Sequence, residues 1–545
     1  MTTVFTGRIR PFAPSTDIEV EAMAVDDATI VAVGSAEEIR RTYPDAKMVA
    51  LDGWVMPGLI EPHGHPGFAA ILLSDLVVDL RPVVVPQAED VLAALRTAVA
   101  EADGEPVFAN GWDSLLQRGL PDPDIRFLDE LAGRVPLVVI HNSGHSVYFN
   151  TAAALAAGID RTTPDPVGAS FGRDAEGELT GVALEAAAVE MVVAPMLATA
   201  QEHLPRILPA HLRDLAARGI TTVSDLSWNR GLDPLIDALR AKGAMPVRLR
   251  WYEMSRPGGM PSARGGGDAF FRQTAVKTWS DGSPWVGNIA TSFPYLDTPA
   301  TRALGLEPHH IGRANYTSDE LSAIAEPYAA AGWQLACHAH GDRAIDATLD
   351  VYAQIIARHG LTDHRFRLEH CGAMTPAQFE RAASLGFTVS LFVDHITYWG
   401  EVLVDDLFGP EHGGAWADAG AAFAAGHRVT FHNDGVGHPR RALPQHGSRR
   451  DPHHPQRVSH ARRLTGHQGS GAPRAHGERG LAALQRARGW CPRPRPLRGL
   501  HRGGSRPGHC VLRRARRDAG EVHVRGRCAS GLTRCHRPSS STDSV

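Results

Sequence analysis

The alternation of short apolar runs with longer Ala/Leu-rich stretches constrains this chain more than any other feature. Eight runs have strand length: 55–62, 220–225, 247–253, 274–280, 334–338, 365–370, 386–391 and 428–433. Between them, 206–217, 232–242, 318–331, 343–358, 376–384 and 416–425 read as helices. Alternating β and α units with eight strands predict an α/β fold, a (β/α)8 TIM-like barrel over 55–435. Catalytic groups in such a barrel belong at the C-terminal ends of its strands. The piece 66–205 then becomes a long insertion after the first strand, with its own strand-like run at 135–141. Residues 1–54 carry short strands at 4–9, 21–33 and 48–51, punctuated by Asp and Gly, and read as a small separate β unit.

Each informative polar cluster falls at the end of a barrel run. His63 and His65 close the first; successive side chains of extended backbone alternate, so the two imidazoles point the same way, a ready pair of metal ligands. Lys277 lies in the fourth run, His338 in Gln334-Leu-Ala-Cys-His338, His370 closes Arg367-Leu-Glu-His370, and Asp434 follows Val429-Thr-Phe-His-Asn. Singly these are weak signals, because the chain has 28 histidines and a strand-end His is usually a surface or capping residue. The ordered set His-x-His, Lys, His, His, Asp at strand ends is what points to a metal centre. Cys337 and Cys371 beside these positions read as small core residues, and as the only cysteines before residue 436 they exclude a disulfide framework.

The net charge of −4 averages two unlike parts. Residues 436–545 hold 24 Arg, no Lys and 5 acidic residues, a balance of +19, whereas 1–435 carry −23. The acidic part has no signal-like N-terminus and no long apolar span, so a cytoplasmic enzyme without membrane attachment is expected. The last 110 residues contain no Phe, Tyr, Ile, Met, Lys or Asn and cannot bury much apolar surface, so disorder is expected there. An Arg-rich arm for nucleic acid, a natural disordered extension and a reading-frame error all fit that composition. The frame error is preferred. With GC-rich codons and a one-base shift, 467–476 can read Thr-Arg-Ala-Arg-Ala-Leu-Arg-Ala-His-Thr, an amphipathic helical segment. The nucleotide sequence around codon 435, read in three frames, decides the matter.

The strings Pro57-Gly-Leu-Ile-Glu-Pro-His-Gly-His65, Gly111-Trp-Asp113, Gly144-His145 with Asn150, Val276-Lys-Thr-Trp-Ser-Asp-Gly-Ser283, His338-Ala-His-Gly-Asp-Arg-Ala344, Glu369-His370, Tyr398-Trp-Gly400 and His432-Asn-Asp-Gly435 resemble the amidohydrolase superfamily. They are closest to its amidohydrolase-3, YtcJ-like branch, which includes N-substituted formamide deformylases. The resemblance runs from about residue 4 to Gly435. Glu61 and Pro62 depart mildly from the family's Asp-Ala or Asp-Ser, and His340 stands where Ile or Asn is usual, so it is not counted as a ligand.

The resemblance implies a metal-dependent hydrolase cleaving a non-peptide C–N bond (amide, N-formyl or N-acyl) of a small molecule, with a homo-oligomer open. His63 and His65 would hold one zinc-like divalent ion, and His338 and His370 a second, or one of them would polarise the substrate in a one-metal site. Lys277 would bridge the ions if carbamylated, since an ammonium has no lone pair. Asp434 would orient the attacking water and take its proton, while Trp112, Asp113 and His145 would line the substrate pocket. The family's last segment normally completes the small β-sandwich begun by 1–54. A tail read out of frame would instead leave an inactive or unstable product.

Overall fold

The computed structural model describes residues 1–12 and 19–435, together with two paired dipeptide strands, Arg517–Asp518 and Glu521–Val522. The expectation of a disordered tail over 436–545 otherwise lies outside the described residues.

The barrel strands are β1 (Leu59–Gly64), β2 (Ile220–Asp225), β3 (Arg248–Met254), β4 (Phe271–Trp279), β5 (Gln334–Ala339), β6 (Arg367–His370), β7 (Thr388–Phe392) and β8 (Val429–His432). They lie side by side in that order in one eight-stranded sheet, and the pairs from β2 to β8 are parallel. This is the near-closed (β/α)8 barrel that the alternation predicts, with each strand within a few residues of its expected run. The helices form for local reasons. Thr317 and Glu320 make a capping box at the start of Ser318–Ala330, and Thr375 with Gln378 does the same for Pro376–Ser384. Gly360, left-handed at φ 59°, ends the helix Asp342–His359.

The helices pack Leu321, Tyr328, Ile345, Leu349 and Tyr352 against Val276, Leu335, Cys337, Leu368 and Val389 of the strands. Because strand side chains alternate, the intervening residues Lys277, Ala336, His338, Arg367 and Glu369 face the other side. Register places Lys277 beside Ala336 and His338 beside Glu369, so the polar residues share one interior.

The insertion carries its own six-stranded sheet, in the order Ser170–Arg173, Leu179–Leu184, Ser146–Phe149, Leu137–His141, Val107–Trp112 and Val78–Asp79. The fourth of these is the run expected at 135–141. Over the stretch described up to Gly435, the contacts group Ile60–Ala216 with the residues from Ile220 as one compact unit, and Met1–Leu59 with Ala217–Gly219 in another. The N-terminal unit is a four-stranded sheet ordered Thr29–Gly34, Val20–Asp26, Thr3–Ile9 and Lys47–Val55. The run expected as one strand over 21–33 is a hairpin, because Asp27 adopts φ 51° and turns the chain. The helix Ala36–Thr42, which the sequence reading did not expect, covers Val4, Ala22 and Ala24 with Ile39. Val31 and Val33 are nearly half exposed and Ile30 more so. The sheet that would complete a sandwich is not among the described residues.

Asp113 shows how the insertion is tied together. Its carboxylate accepts from the Leu115 and Leu116 peptides, Asn142 Nδ2 and Trp399 Nε1. Burial pushes its pKa up from 3.8 to about 6, against those hydrogen bonds. Between those values the folded chain binds the proton more strongly than the unfolded chain, so this group's contribution to stability falls as pH rises through that window. Asp113→Asn should lack that loss. Its denaturant-measured stability should gain on the parent by about 3 kcal/mol between pH 4 and 6 and run parallel above. Parallel curves throughout would contradict the assignment.

Candidate metal centre

His63 is fully buried, and its Nδ1 lies 2.6 Å from Glu369 Oε2. A carboxylate only accepts, so Nδ1 carries the proton and the Nε2 lone pair is left to the interior. Glu369 is itself held by the Arg367 guanidinium, which also donates to the Pro62 carbonyl at 3.0 Å. Around the freed Nε2 stand Lys277 Nζ at 3.3 Å and Asp434 Oδ1 at 3.5 Å. His65, two residues on, places Nε2 3.1 Å from the same Asp434 oxygen and Nδ1 2.6 Å from Ser227 Oγ.

His370 reaches this group through its backbone. Alternation would send it to the helix side with Leu368, but His370 and Cys371 take φ of 69° and 53° and turn the chain at the strand end. Left-handed backbone at non-glycine residues is uncommon and costs of order 1–3 kcal/mol, so the surrounding packing must hold it. The ring then lies 4.4 Å from that of His338 and 4.6 Å from that of His63, centroid to centroid. Asp434, also left-handed at φ 60°, faces it with Oδ2 3.8 Å from His370 Nδ1.

Candidate ligand atoms of His63, His370, His432 and Asp434 lie within 4.8 Å of one another, as do those of His338, His340 and His370. Burial lowers the pKa of His63, His338, His340 and His370 well below that of a free histidine, and neighbouring positive charges add to it. Neutral imidazoles with available lone pairs are what a metal requires. Burial also pushes the Lys277 amine down. Burial acts upward on Asp434, but the His65 hydrogen bond and the charges of His65, His432 and Lys277 outweigh it and hold the carboxyl well below the usual range. His370 Nε2 and His340 Nδ1 are buried without a hydrogen-bond partner. Leaving such a group unpaired costs roughly 1–3 kcal/mol, and a cation would relieve it. Donor set and orphaned nitrogens therefore fit a divalent ion.

The structure thus gathers His63, His65, Lys277, His338, His370 and Asp434 in one place. His145 joins them from the insertion, its ring 4.7 Å from His338 and its Nδ1 3.0 Å from Glu185 Oε2. Burial pushes the His145 pKa down, but the charge and hydrogen bond of Glu185 outweigh it and raise it. Trp112 and Asp113 are placed differently. Trp112 packs on Phe127 and Tyr148, and Asp113 holds Trp399, whose ring stacks on Trp285.

Several contributors were not picked out in the sequence. His432 bonds through Nδ1 to Ser390 and through Nε2 to His370. Asp281 accepts from the peptides of His340, Gly341 and Ala290, fixing the turn after β5, and burial pushes its pKa up to about 7. That turn needs glycine, since a Cβ on Gly341 would lie 1.9 Å from the Ala290 carbonyl oxygen. Glu369, Asp281 and His432 all lie within quoted motifs, which is the signal that could have found them, whereas Glu185 lies in none.

With this geometry in view, comparison with known proteins is decisive for the family. The model of the amidohydrolase family matches residues 50–453, well over half of the chain. The chain belongs to the amidohydrolase family. The match continues past Gly435, where the resembling motifs end, and residues 22–46 match an imidazolonepropionase-like composite domain of bacteria. Among relatives of this amidohydrolase, the protein LONG AFTER FAR-RED 3 of Arabidopsis thaliana is 28% identical over 395 residues, 69% of this chain and 65% of the relative. An N-substituted formamide deformylase of Arthrobacter pascens is 28% identical over 400 residues, covering 70% of this chain and 71% of the relative. The chain thus spans roughly two thirds of these relatives' lengths. A solved structure, an uncharacterised metal-dependent hydrolase from Pyrococcus horikoshii OT3, superposes with a TM-score of 0.59 at 21% identity, covering 81% of this chain and 84% of the other, and shares the fold. No helix among the described residues of this amidohydrolase is long and apolar enough to cross a membrane.

Proposed function

We propose that this amidohydrolase cleaves a non-peptide C–N bond, in an amide, N-formyl or N-acyl group of a small molecule, with zinc as its divalent ion. The observation that carries the reading is the set of buried imidazoles in which His63 and His370 face the carboxylate of Asp434 and His338 lies against His370. The formamide deformylase among its relatives supports the choice of bond. Residues His63, His65, His338, His370 and Asp434 would hold the metal, with Lys277 as an anionic bridge once carbamylated. The depressed Lys277 pKa favours the neutral amine that carbamylation needs.

When bound, the ion supplies Lewis-acid polarisation of the scissile carbonyl and hydroxide near neutral pH. Asp434, kept as a carboxylate by His65 and by nearby positive charge, takes a proton from the attacking water and returns it to the leaving nitrogen. His145, fixed by Glu185 at the rim of the histidine cluster, hydrogen-bonds the substrate. Asp113 acts behind it, through Trp399, and Trp112 through its packing on Phe127 and Tyr148. The same proposal assigns the protein to the cytoplasm and treats residues 436–545 as translated out of frame, so that turnover by the chain as written is weak beside that of its frame-restored form.

Activity of the zinc-loaded chain at neutral pH on N-substituted formamides, N-acyl amines, dipeptides and carboxylic esters tests the bond class. Turnover should be confined to the first two. Hydrolysis of dipeptides or esters alone, or of none, would contradict it.

A further inference from the structure

His340 deserves more than the neutral place its departure from the family pattern suggests. It is 3% exposed, stacks on His370 at 4.8 Å with an interplanar angle of 17°, and lies 4.9 Å from His338, ring centre to ring centre. Its backbone is pinned on both sides. The His340 peptide donates to Asp281 Oδ1 at 2.9 Å, and its carbonyl accepts from Ala373 at 2.8 Å. Gly372 makes the seat possible, because a Cβ there would come within 2.7 Å of His340 Nδ1. The imidazole is therefore held in one position, yet Nδ1 is buried without a partner.

Its two neighbours have lone pairs to match. His338 Nε2 lies 2.8 Å from the Gly282 carbonyl oxygen, which can only accept, so Nε2 bears the proton and Nδ1 is free. His370 Nδ1 is engaged by His432 Nε2 at 3.0 Å, and His432 Nδ1 by Ser390 Oγ at 2.8 Å. His370 Nε2 is left buried and unpartnered.

We propose that His338, His340 and His370 form a three-imidazole site for a zinc-like divalent cation that closes without Lys277. The inference rests on the metal-dependent reading above and deepens it. Three neutral nitrogens are a sufficient protein ligand set for zinc with one position left open. A carbamylated Lys277 is then a bridge added to a site already formed, rather than a condition for filling it.

Equilibrium dialysis of the full chain against zinc, with bound metal counted per chain, tests this in the parent, Lys277→Met, His340→Asn and Lys277→Met/His340→Asn forms. Lys277→Met should retain the cation of the three-histidine site. Adding His340→Asn should weaken that ion at least tenfold. X-ray absorption of zinc in the Lys277→Met chain should show three imidazoles around that ion, a readout that does not depend on the His340 variant folding. Loss of all zinc in Lys277→Met, or unchanged affinity on adding His340→Asn, would overturn the inference alone. A parent chain that binds no zinc would overturn the metal-dependent reading as well.

Discussion

Asp434→Asn should lower kcat by about 10³-fold or more even when zinc is supplied to saturation, because a general base contributes on the order of 10²–10⁴ and amide expulsion also needs its returned proton. Asparagine keeps the shape and an oxygen toward His65 but cannot take a proton. The low Asp434 pKa adds a signature. Since its carboxyl is held below the usual carboxylate range, it should not itself produce an acid limb near pH 4 or above in the parent's kcat profile. Full zinc with collapsed kcat separates the proton-transfer role from a merely structural one. Retained turnover would show that another group takes the proton.

Glu369→Ala should have the second large effect, on stability and metal affinity together. Glu369 is wholly buried between the Arg367 guanidinium and His63 Nδ1. Removing it strands a buried cation, at roughly 3–5 kcal/mol, and frees the His63 ring to change tautomer. Loss of a carboxylate partner behind a metal-binding histidine typically weakens metal binding 10–100-fold. Urea unfolding and zinc dialysis measure the two effects separately. Glu369→Gln keeps an acceptor for Nδ1–H and should recover most of the zinc affinity but little of the stability, since Arg367 still lacks an opposite charge. Equal zinc affinity in Glu369→Ala and the parent would mean that Glu369 does not fix the His63 tautomer.

The barrel was legible because its strands are buried on both faces and read as apolar runs at regular intervals. The strand-end residues His63, His338 and Asp434 were legible for the same reason, since a polar group closing such a run has few purely structural uses. The sequence reading could not supply the pairings that orient them. That Glu369 serves His63, 306 positions away, follows from closure of the sheet and not from any local pattern. His370 lay on the wrong parity for an interior residue, and only its left-handed backbone brings it inward. His340 was set aside because the family favours Ile or Asn there, a rule about relatives that says nothing of the cluster three histidines can form. The hairpin at Asp27 was lost because the apolar residues on either side of Asp26-Asp27 were read as one run.

The central claim is that a divalent ion held by these histidines is required for hydrolysis. Removing it from the full chain with a chelator, then restoring zinc stepwise while recording both bound metal and turnover of an N-formyl or N-acyl amine, tests that claim most directly. The account predicts negligible activity in the metal-free chain and recovery in proportion to the zinc bound. Undiminished turnover after complete removal of metal would contradict it.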